Sequence, residues 1–341
     1  MVKIKDRDGK TPHILVENRQ KERQMKKEVR YEKTSIDGRC AIRVTGLGDM
    51  SLGDTLECGQ AFRYEKIKDG DGYIEYMTVV GDSLIFVGQE KAGELIFYNT
   101  SEEELTARIV PYFALDLDYP RIREDIVART DSEWLKNAAE CAKGIHILKQ
   151  DSWEALFSFI ISQNNNIPRI RKIIRKLSAE YGENLAIKKS LPICPTGLCG
   201  GAPDESVCRE CGICYSFPSA EAVAAEPEKM SEAKVGFRYK YLLNSAERVV
   251  SGETDLAKIE NAESFDIVCE ELKKILGVGD KVASCVALFG MARLEAFPID
   301  VWMKRAIDLY FDGNLDPKTL GEYAGVAQQY IFHYIRNLEE K

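Results

Sequence analysis

Two textures of hydrophobic and polar positions divide the chain. Between Cys40 and Tyr98, short apolar runs (Cys40–Val44, Tyr73–Val80, Leu84–Val87 and Glu94–Tyr98) are separated by Asp-Gly, Gly-Asp and Ala-Gly pairs. Runs of that length between such turns predict a meander-like antiparallel sheet. From Thr100 onward, apolar positions recur every three or four residues. This spacing predicts helices at about 101–113, 119–129, 132–142, 152–162, 167–181, 236–251, 263–276, 280–290, 300–311 and 317–338. Ser101-Glu102-Glu103-Glu104 carries the start signal, a capping hydroxyl followed by acids that suit the positive end of a helix. Residues 1–33 are mostly Lys, Arg, Glu and Gln with few apolar anchors, which predicts a flexible extension. The expected plan is therefore α+β. The extension is followed by an N-terminal α+β domain over 34–130 and an all-helical domain over 131–341.

Composition narrows the class. A chain of 341 residues with 45% hydrophobic and 30% charged residues can bury a substantial core. A net charge of −8 argues against a uniformly basic nucleic-acid coat. It leaves room for a local basic surface, which is all that phosphate contacts require. No apolar run reaches the ~18 residues of a membrane span, and the N-terminus lacks the apolar core of a signal peptide. The expectation is a monomer that works inside the cell without a membrane, in the cytoplasm (nucleoid) if the source is bacterial.

Half of the ten cysteines fall between Cys194 and Cys214, spaced C-x4-C-x8-C-x2-C-x2-C. With no export signal, such a cluster points to a metal more than to disulfides. Cys199-Gly200 and Cys211-Gly212 resemble zinc-knuckle turns, in which a glycine lets amides face the thiolates. The favoured reading of this Cys-rich insertion, residues 193–215, is a structural Zn²⁺ on Cys194, Cys199, Cys208 and Cys211, with Cys214 as a substitute ligand. A thiol-rich loop without metal and an iron–sulfur cluster are the alternatives.

Four other stretches can carry chemistry. Leu276-Gly277-Val278-Gly279-Asp280-Lys281 joins two helical patterns through a Gly-x-Gly turn. The unpartnered amides of the second helix can hold a phosphate, although a hairpin with a surface lysine would read the same way. Asp300, after Phe297-Pro298-Ile299, sits where an N-cap is expected and pairs with Lys281 as an acid–base candidate. Ser162-Gln163-Asn164-Asn165-Asn166 ends an apolar helix, and Arg169, Arg171, Lys172, Arg175 and Lys176 follow it. That is either a helix corner with a solvated basic face or a DNA-facing helix. Gly236-Phe237-Arg238-Tyr239 is a core corner or an aromatic wedge with a phosphate-binding cation. Of the three histidines, His146 lies in an apolar stretch and reads as packed.

Taken in order, these residues resemble the 8-oxoguanine DNA glycosylase/lyases of the helix–hairpin–helix Gly/Pro-Asp superfamily. The landmarks are Gly59-Gln60-x-Phe62-Arg63, Leu156-Phe157-Ser158-Phe159-Ile160 with Asn164-Asn165-Asn166-Ile167-x-Arg169, and Gly236-Phe237-Arg238-Tyr239. They continue with Gly277-Val278-Gly279-x-Lys281-Val282-Ala283-x-Cys285, Pro298-x-Asp300-Val301, and Gln328 with Phe332. The resemblance spans about residues 40–338 and implies a TBP-like β-rich domain before the helical one.

It implies excision of 8-oxoguanine opposite cytosine from double-stranded DNA, followed by β-elimination. Lys281 would attack the sugar C1′ and form a Schiff base, and Asp300 would assist it. The Gly59 carbonyl would accept the N7 hydrogen that 8-oxoguanine has and guanine lacks. Cys285 and Phe332 would sandwich the flipped base while Gln328 reads its edge. Asn164, Arg169 and Arg238 would contact the opposite cytosine, with Phe237 in place of a wedging tyrosine. Gly277 and Gly279 would present amides to a phosphate and carbonyls to a monovalent cation. Catalysis would need no cofactor.

The chain departs from the pattern at Leu276 (usually Pro), Trp302 (often His) and Ile335 (an acid), and in the Cys-rich insertion. The competing readings are a glycosylase for alkylated bases or mismatched adenine, and a silent DNA-binding module. Lysine and aspartate together argue against both.

Overall fold

A computed structural model describes residues 25–197 and 199–339. Most of the extension expected over residues 1–33 lies outside them. Its last part does not stay apart, because Arg30–Ile36 forms strand β1 and pairs along its whole length with β2, Arg39–Thr45. The other strands are β3 (Tyr64–Gly70), β4 (Tyr73–Val80), β5 (Ser83–Gln89) and β6 (Leu95–Tyr98). The sheet is antiparallel in the order β1-β2-β6-β5-β4-β3. Two-residue turns close three hairpins. Asp37-Gly38 and Asp71-Gly72 each hold both residues at positive φ, and Gly81-Asp82 joins β4 to β5.

The sheet is not the simple meander that the spacing predicts. After β2 the chain leaves through helix α1 (Leu52–Glu57), enters the far edge as β3, and returns so that β6 lies beside β2. Gly59 lies on that excursion. The two strands absent from the sequence expectation, β1 and β3, are the two edges. Their residues are polar and largely exposed, with Lys66 and Lys68 on β3, as suits an edge that must not recruit another strand.

One face of the sheet packs Ile42, Val44, Ile85, Val87 and Phe97 against Leu52, Leu56 and the helical segment 102–112. That segment contains a π-helical turn at Leu105–Ile109. The other face is covered in part by Leu185, Ala186 and Cys214, which pack on Met77, Val79 and Leu84. The last six residues of β4 are therefore all buried instead of alternating.

The helical core is built from α2 (Tyr119–Ala128), α3 (Glu133–Cys141), α4 (Ser152–Ile161), α5 (Ile167–Tyr181), α6 (Glu205–Cys211), α7 (Ala220–Ala225), α8 (Tyr239–Val250), α9 (Phe265–Leu272), α10 (Asp280–Phe289), α11 (Val301–Tyr310) and α12 (Ala324–Glu339). Tyr119, Ile122 and Ile126 of α2 bury themselves in this core and not against the sheet, although α2 lies before the break expected at residue 130. The stretch expected as one helix over 317–338 is a 3-10 segment followed by α12. The break falls at Gly321, whose φ of 76° no α-helix contains. His146 is fully buried, stacked on Tyr119 at 3.8 Å, and burial holds its imidazole down at about 3. It is a packing residue, as its apolar neighbourhood suggests.

The two cores are pinned together by buried polar contacts. Gln60 donates to the carbonyls of Thr55 and His146, both at 2.8 Å, and accepts from the amide of Leu148. Gln150 donates to the Gln60 carbonyl at 2.7 Å. Arg63 donates to Glu154 at 2.8 Å and to the carbonyl of Tyr215 at 2.6 Å. Each buried donor here has a defined acceptor, so the loop carrying Gly59 has little freedom to shift.

Candidate active site

A cavity of 1070 Å³ opens between the Gly59 loop, the end of α4, the start of α10 and the start of α11. Its walls include Gly59, Phe159, Ser162, the Asn164–Asn166 triplet, Gly279, Lys281, Asp300, Trp302 and Phe332. Residues more than two hundred positions apart thus share one space.

Lys281 lies in the first turn of α10. The preceding hairpin turns at Gly277 (φ 84°), where a Cβ would lie 2.4 Å from the Tyr241 ring, so only glycine fits. No side chain caps α10 at Gly279. Its first-turn amides therefore face outward with the positive end of the helix dipole. The Lys281 amine donates to Ser162 Oγ at 3.0 Å and sits 5.5 Å from the centre of the Phe159 ring. Ser162 Oγ itself donates to the Phe159 carbonyl at 2.8 Å. Phe159 is held in turn by stacking on Phe289 and by the edge of Phe62.

Asp300 is the N-cap of α11, and its Oδ1 accepts from the amide of Met303 at 2.9 Å. It does not form an ion pair with Lys281. Cys285, one turn beyond Lys281, is buried. Burial pushes its thiol up to about 11, with Lys281 pulling down and Asp300 pushing up. The thiol therefore lies within reach of both charges.

Gly59 has φ 84°, and a Cβ there would meet Ile167 at 3.1 Å and Phe332 at 3.8 Å. Phe332 and the Gly59 backbone thus flank the same space. Among the described residues, no backbone hydrogen bond uses the Gly59 carbonyl. Gln328 is buried behind this wall and accepts from Gln329 Nε2 at 2.8 Å, so it does not line the open cavity. Trp302 lines the cavity and Ile335 is buried, in place of the expected histidine and acid.

The remaining predicted residues surround the mouth. Asn164 (φ 48°) and Arg169 are exposed, and Asn166 caps α5 by accepting from the Arg169 amide. Phe237 is half exposed at 51%. Arg238 is not at the surface. Its guanidinium is buried and donates to the carbonyls of Gln163, Asn164 and Val235. In this DNA-free chain it braces the asparagine loop instead of reaching outward. Sequence reasoning missed Ser162 and the Phe159 floor. The only signal for Ser162 was its place in the cap stretch ahead of the asparagines.

The three thiols of Cys194, Cys199 and Cys208 lie within 4.8 Å of one another. Cys211 falls outside that set, and Cys214 points away toward Met77 Sδ at 3.8 Å. No described helix is long and apolar enough to cross a membrane.

The chain is similar to known proteins over most of its length. Residues 44–156 match the profile of the 8-oxoguanine DNA glycosylase N-terminal domain. The structure of MBOgg1 in complex with a low-affinity DNA ligand is 33% identical, with a TM-score of 0.75, over 92% of this chain and 100% of that one. The Clostridium acetobutylicum 8-oxoguanine glycosylase/lyase, solved with double-stranded DNA containing cytosine opposite 8-oxoguanine, is 30% identical with a TM-score of 0.74, over 92% and 99%. The Saccharomyces cerevisiae N-glycosylase/DNA lyase is 27% identical over 277 residues, 75% of this chain and 67% of that protein. The chain belongs to the family of 8-oxoguanine DNA glycosylase/lyases within the helix–hairpin–helix Gly/Pro-Asp superfamily.

Proposed function

We propose that this chain excises 8-oxoguanine from double-stranded DNA, opposite cytosine, and then cleaves the strand at the abasic sugar. The observation that carries the reading is one cavity lined together by the Lys281 amine, the Asp300 carboxylate, the Gly59 backbone and the Phe332 ring.

In this mechanism the damaged nucleotide is extruded into the cavity. The Lys281 amine donates its lone pair to C1′ as the C1′–N9 bond breaks, that bond's electron pair leaves with the base, and the proton shed by the amine is taken up by the departing base. The Asp300 carboxylate, held in one orientation by its bond to Met303, stabilises the positive charge developing on the sugar. Ring opening gives a Schiff base on Lys281. Loss of a C2′ proton then expels the 3′ phosphate, and water releases the enzyme.

The unused Gly59 carbonyl accepts from N7–H of 8-oxoguanine but faces a lone pair in guanine. Phe332 and Cys285 flank the base. Gln328 reads its edge after turning from Gln329. Asn164, Arg169 and Arg238 address the opposite cytosine while Phe237 wedges the stack, which requires Arg238 to leave its carbonyl partners. The open amides around Gly277 and Gly279 grip a phosphate, and the hairpin carbonyls take a monovalent cation. Excision draws on no cofactor, and the metal part of the reading is a structural zinc ion in the insertion 193–215.

The test is borohydride trapping on an 8-oxoguanine:cytosine duplex. A covalent adduct is expected from the wild type and none from Lys281→Gln. Active wild-type protein that gives no adduct would overturn the lysine's role.

A further inference from the structure

We propose that Cys194, Cys199, Cys208 and Cys211 form a closed four-thiolate site for one Zn²⁺, seated on the basic face of α5. This deepens the zinc reading of the insertion and does not depend on the excision chemistry.

The spacing of the sulfurs is that of a metal shell. Zinc–sulfur bonds of about 2.3 Å in a tetrahedron put neighbouring sulfurs about 3.8 Å apart, whereas a disulfide needs about 2.05 Å. The Cys199 and Cys208 sulfurs are 3.8 Å apart, and Cys194 lies within 4.8 Å of both. Two separate turns deliver them. Cys194 and Cys199 come from an irregular loop, while Cys208 and Cys211 sit three apart on α6 and so share a face.

The fourth position distinguishes Cys211 from Cys214. The Thr196 hydroxyl lies 3.2 Å from the Cys194 sulfur, and Cys211 follows Cys208 by three residues on α6, beside the cluster in the chain. Cys214 is buried on the back of the sheet against Met77. Cys211 shares a helix face with Cys208, whereas recruiting Cys214 would uncover Met77.

The surroundings fit a thiolate cluster. The Asp204 amide donates to the Cys199 sulfur at 3.4 Å, and Gly200 and Gly212, each next to a ligand, turn at φ 65°. A Cβ at Gly212 would lie 2.4 Å from the Arg175 carbonyl, so the second turn sits directly against α5. Arg171, Lys172, Arg175 and Lys176 line a cavity beside Cys211 with Glu65, which pairs with both arginines, and Glu210, an excess of cations that suits the net negative charge of four thiolates on one Zn²⁺. The loop needs such a cross-link. Residues 191–203 hold three prolines and three glycines, and Ile193 is 69% exposed, so apolar packing gives them little support beyond Leu191.

The experiment uses the full chain, purified without added metal and assayed without DNA. About one zinc per chain is expected, retained by Cys214→Ser and lost by Cys208→Ser. Where Cys208→Ser fails to fold, Cys211→His decides. Zinc replaced by cobalt should give the strong visible bands of a tetrahedral site, and Cys211→His should keep the metal while shifting those bands, because a nitrogen replaces a sulfur. Folded protein with no metal, an iron–sulfur cluster, loss of metal from Cys214→Ser, or an unshifted cobalt spectrum in Cys211→His would each overturn the proposal.

Discussion

Lys281 donates its amine hydrogen to Ser162 Oγ at 3.0 Å, and that hydroxyl spends its own hydrogen on the Phe159 carbonyl. Ser162 is therefore an acceptor only. It can hold the amine by an N–H in either protonation state and cannot occupy the lone pair of the neutral form. The nucleophile's reactive side is left facing the cavity.

Ser162→Ala should slow single-turnover excision about tenfold, the rate equivalent of one lost hydrogen bond of about 1.4 kcal/mol, with DNA affinity unchanged. Ser162→Thr should restore most of the rate. An alanine variant within twofold of wild type would remove the positioning role.

Asp300→Asn separates chemistry from folding. Asparagine caps helices as well as aspartate, so the bond to the Met303 amide and the melting temperature should persist. Excision should fall by about two orders of magnitude, since the charge facing the sugar is gone. Thermal melts and stopped-time incision on the same preparations check both halves.

Gly277→Ala combines a positive φ with a Cβ 2.4 Å from the Tyr241 ring. A loss of about 2–4 kcal/mol is expected in denaturant unfolding, from left-handed backbone strain plus overpacking. DNA binding should weaken and its salt dependence flatten if the hairpin contacts a phosphate. An unchanged salt slope in the folded variant would remove that contact.

His146 predicts an acid limb of stability. Its folded imidazole is held at about 3 by burial, against an ordinary 6.5. Below pH 6.5 the unfolded chain takes up a proton that the folded chain refuses. Stability from this group is thus complete above 6.5 and is lost as pH falls toward 3, by up to about 1.4 kcal/mol per pH unit. His146→Gln should show a shallower decline between pH 6 and 4 in equilibrium unfolding.

Arg63→Ala should cost about 3–5 kcal/mol, because it leaves the Glu154 carboxylate buried without its cation and frees the Tyr215 carbonyl. Burial already pushes the Glu154 carboxyl up. Adding Glu154→Gln to Arg63→Ala should recover part of the loss, and a double mutant less stable than the single would contradict the account.

Elements with a local cause are legible in the chain alone. Most of the long helices follow from three- and four-residue apolar spacing, and the hairpin from Gly277 and Gly279, whereas the short α6 and α7 lie outside the expected helices. The asparagine corner is readable because three such residues make poor helix and good caps. The order of the landmarks was enough to read the resemblance to the family. Strands β1 and β3 escaped because edge strands face water and carry no apolar alternation.

What depends on residues far apart in the chain became visible only in the folded molecule. It brought Gly59 beside Phe332 and Ile167, set Ser162 under the Lys281 amine, turned Arg238 inward onto the asparagine loop, and separated Cys214 from the other thiols. Each of these rests on packing between segments dozens to hundreds of residues apart, and spacing along one segment carries no record of what another segment presses against it.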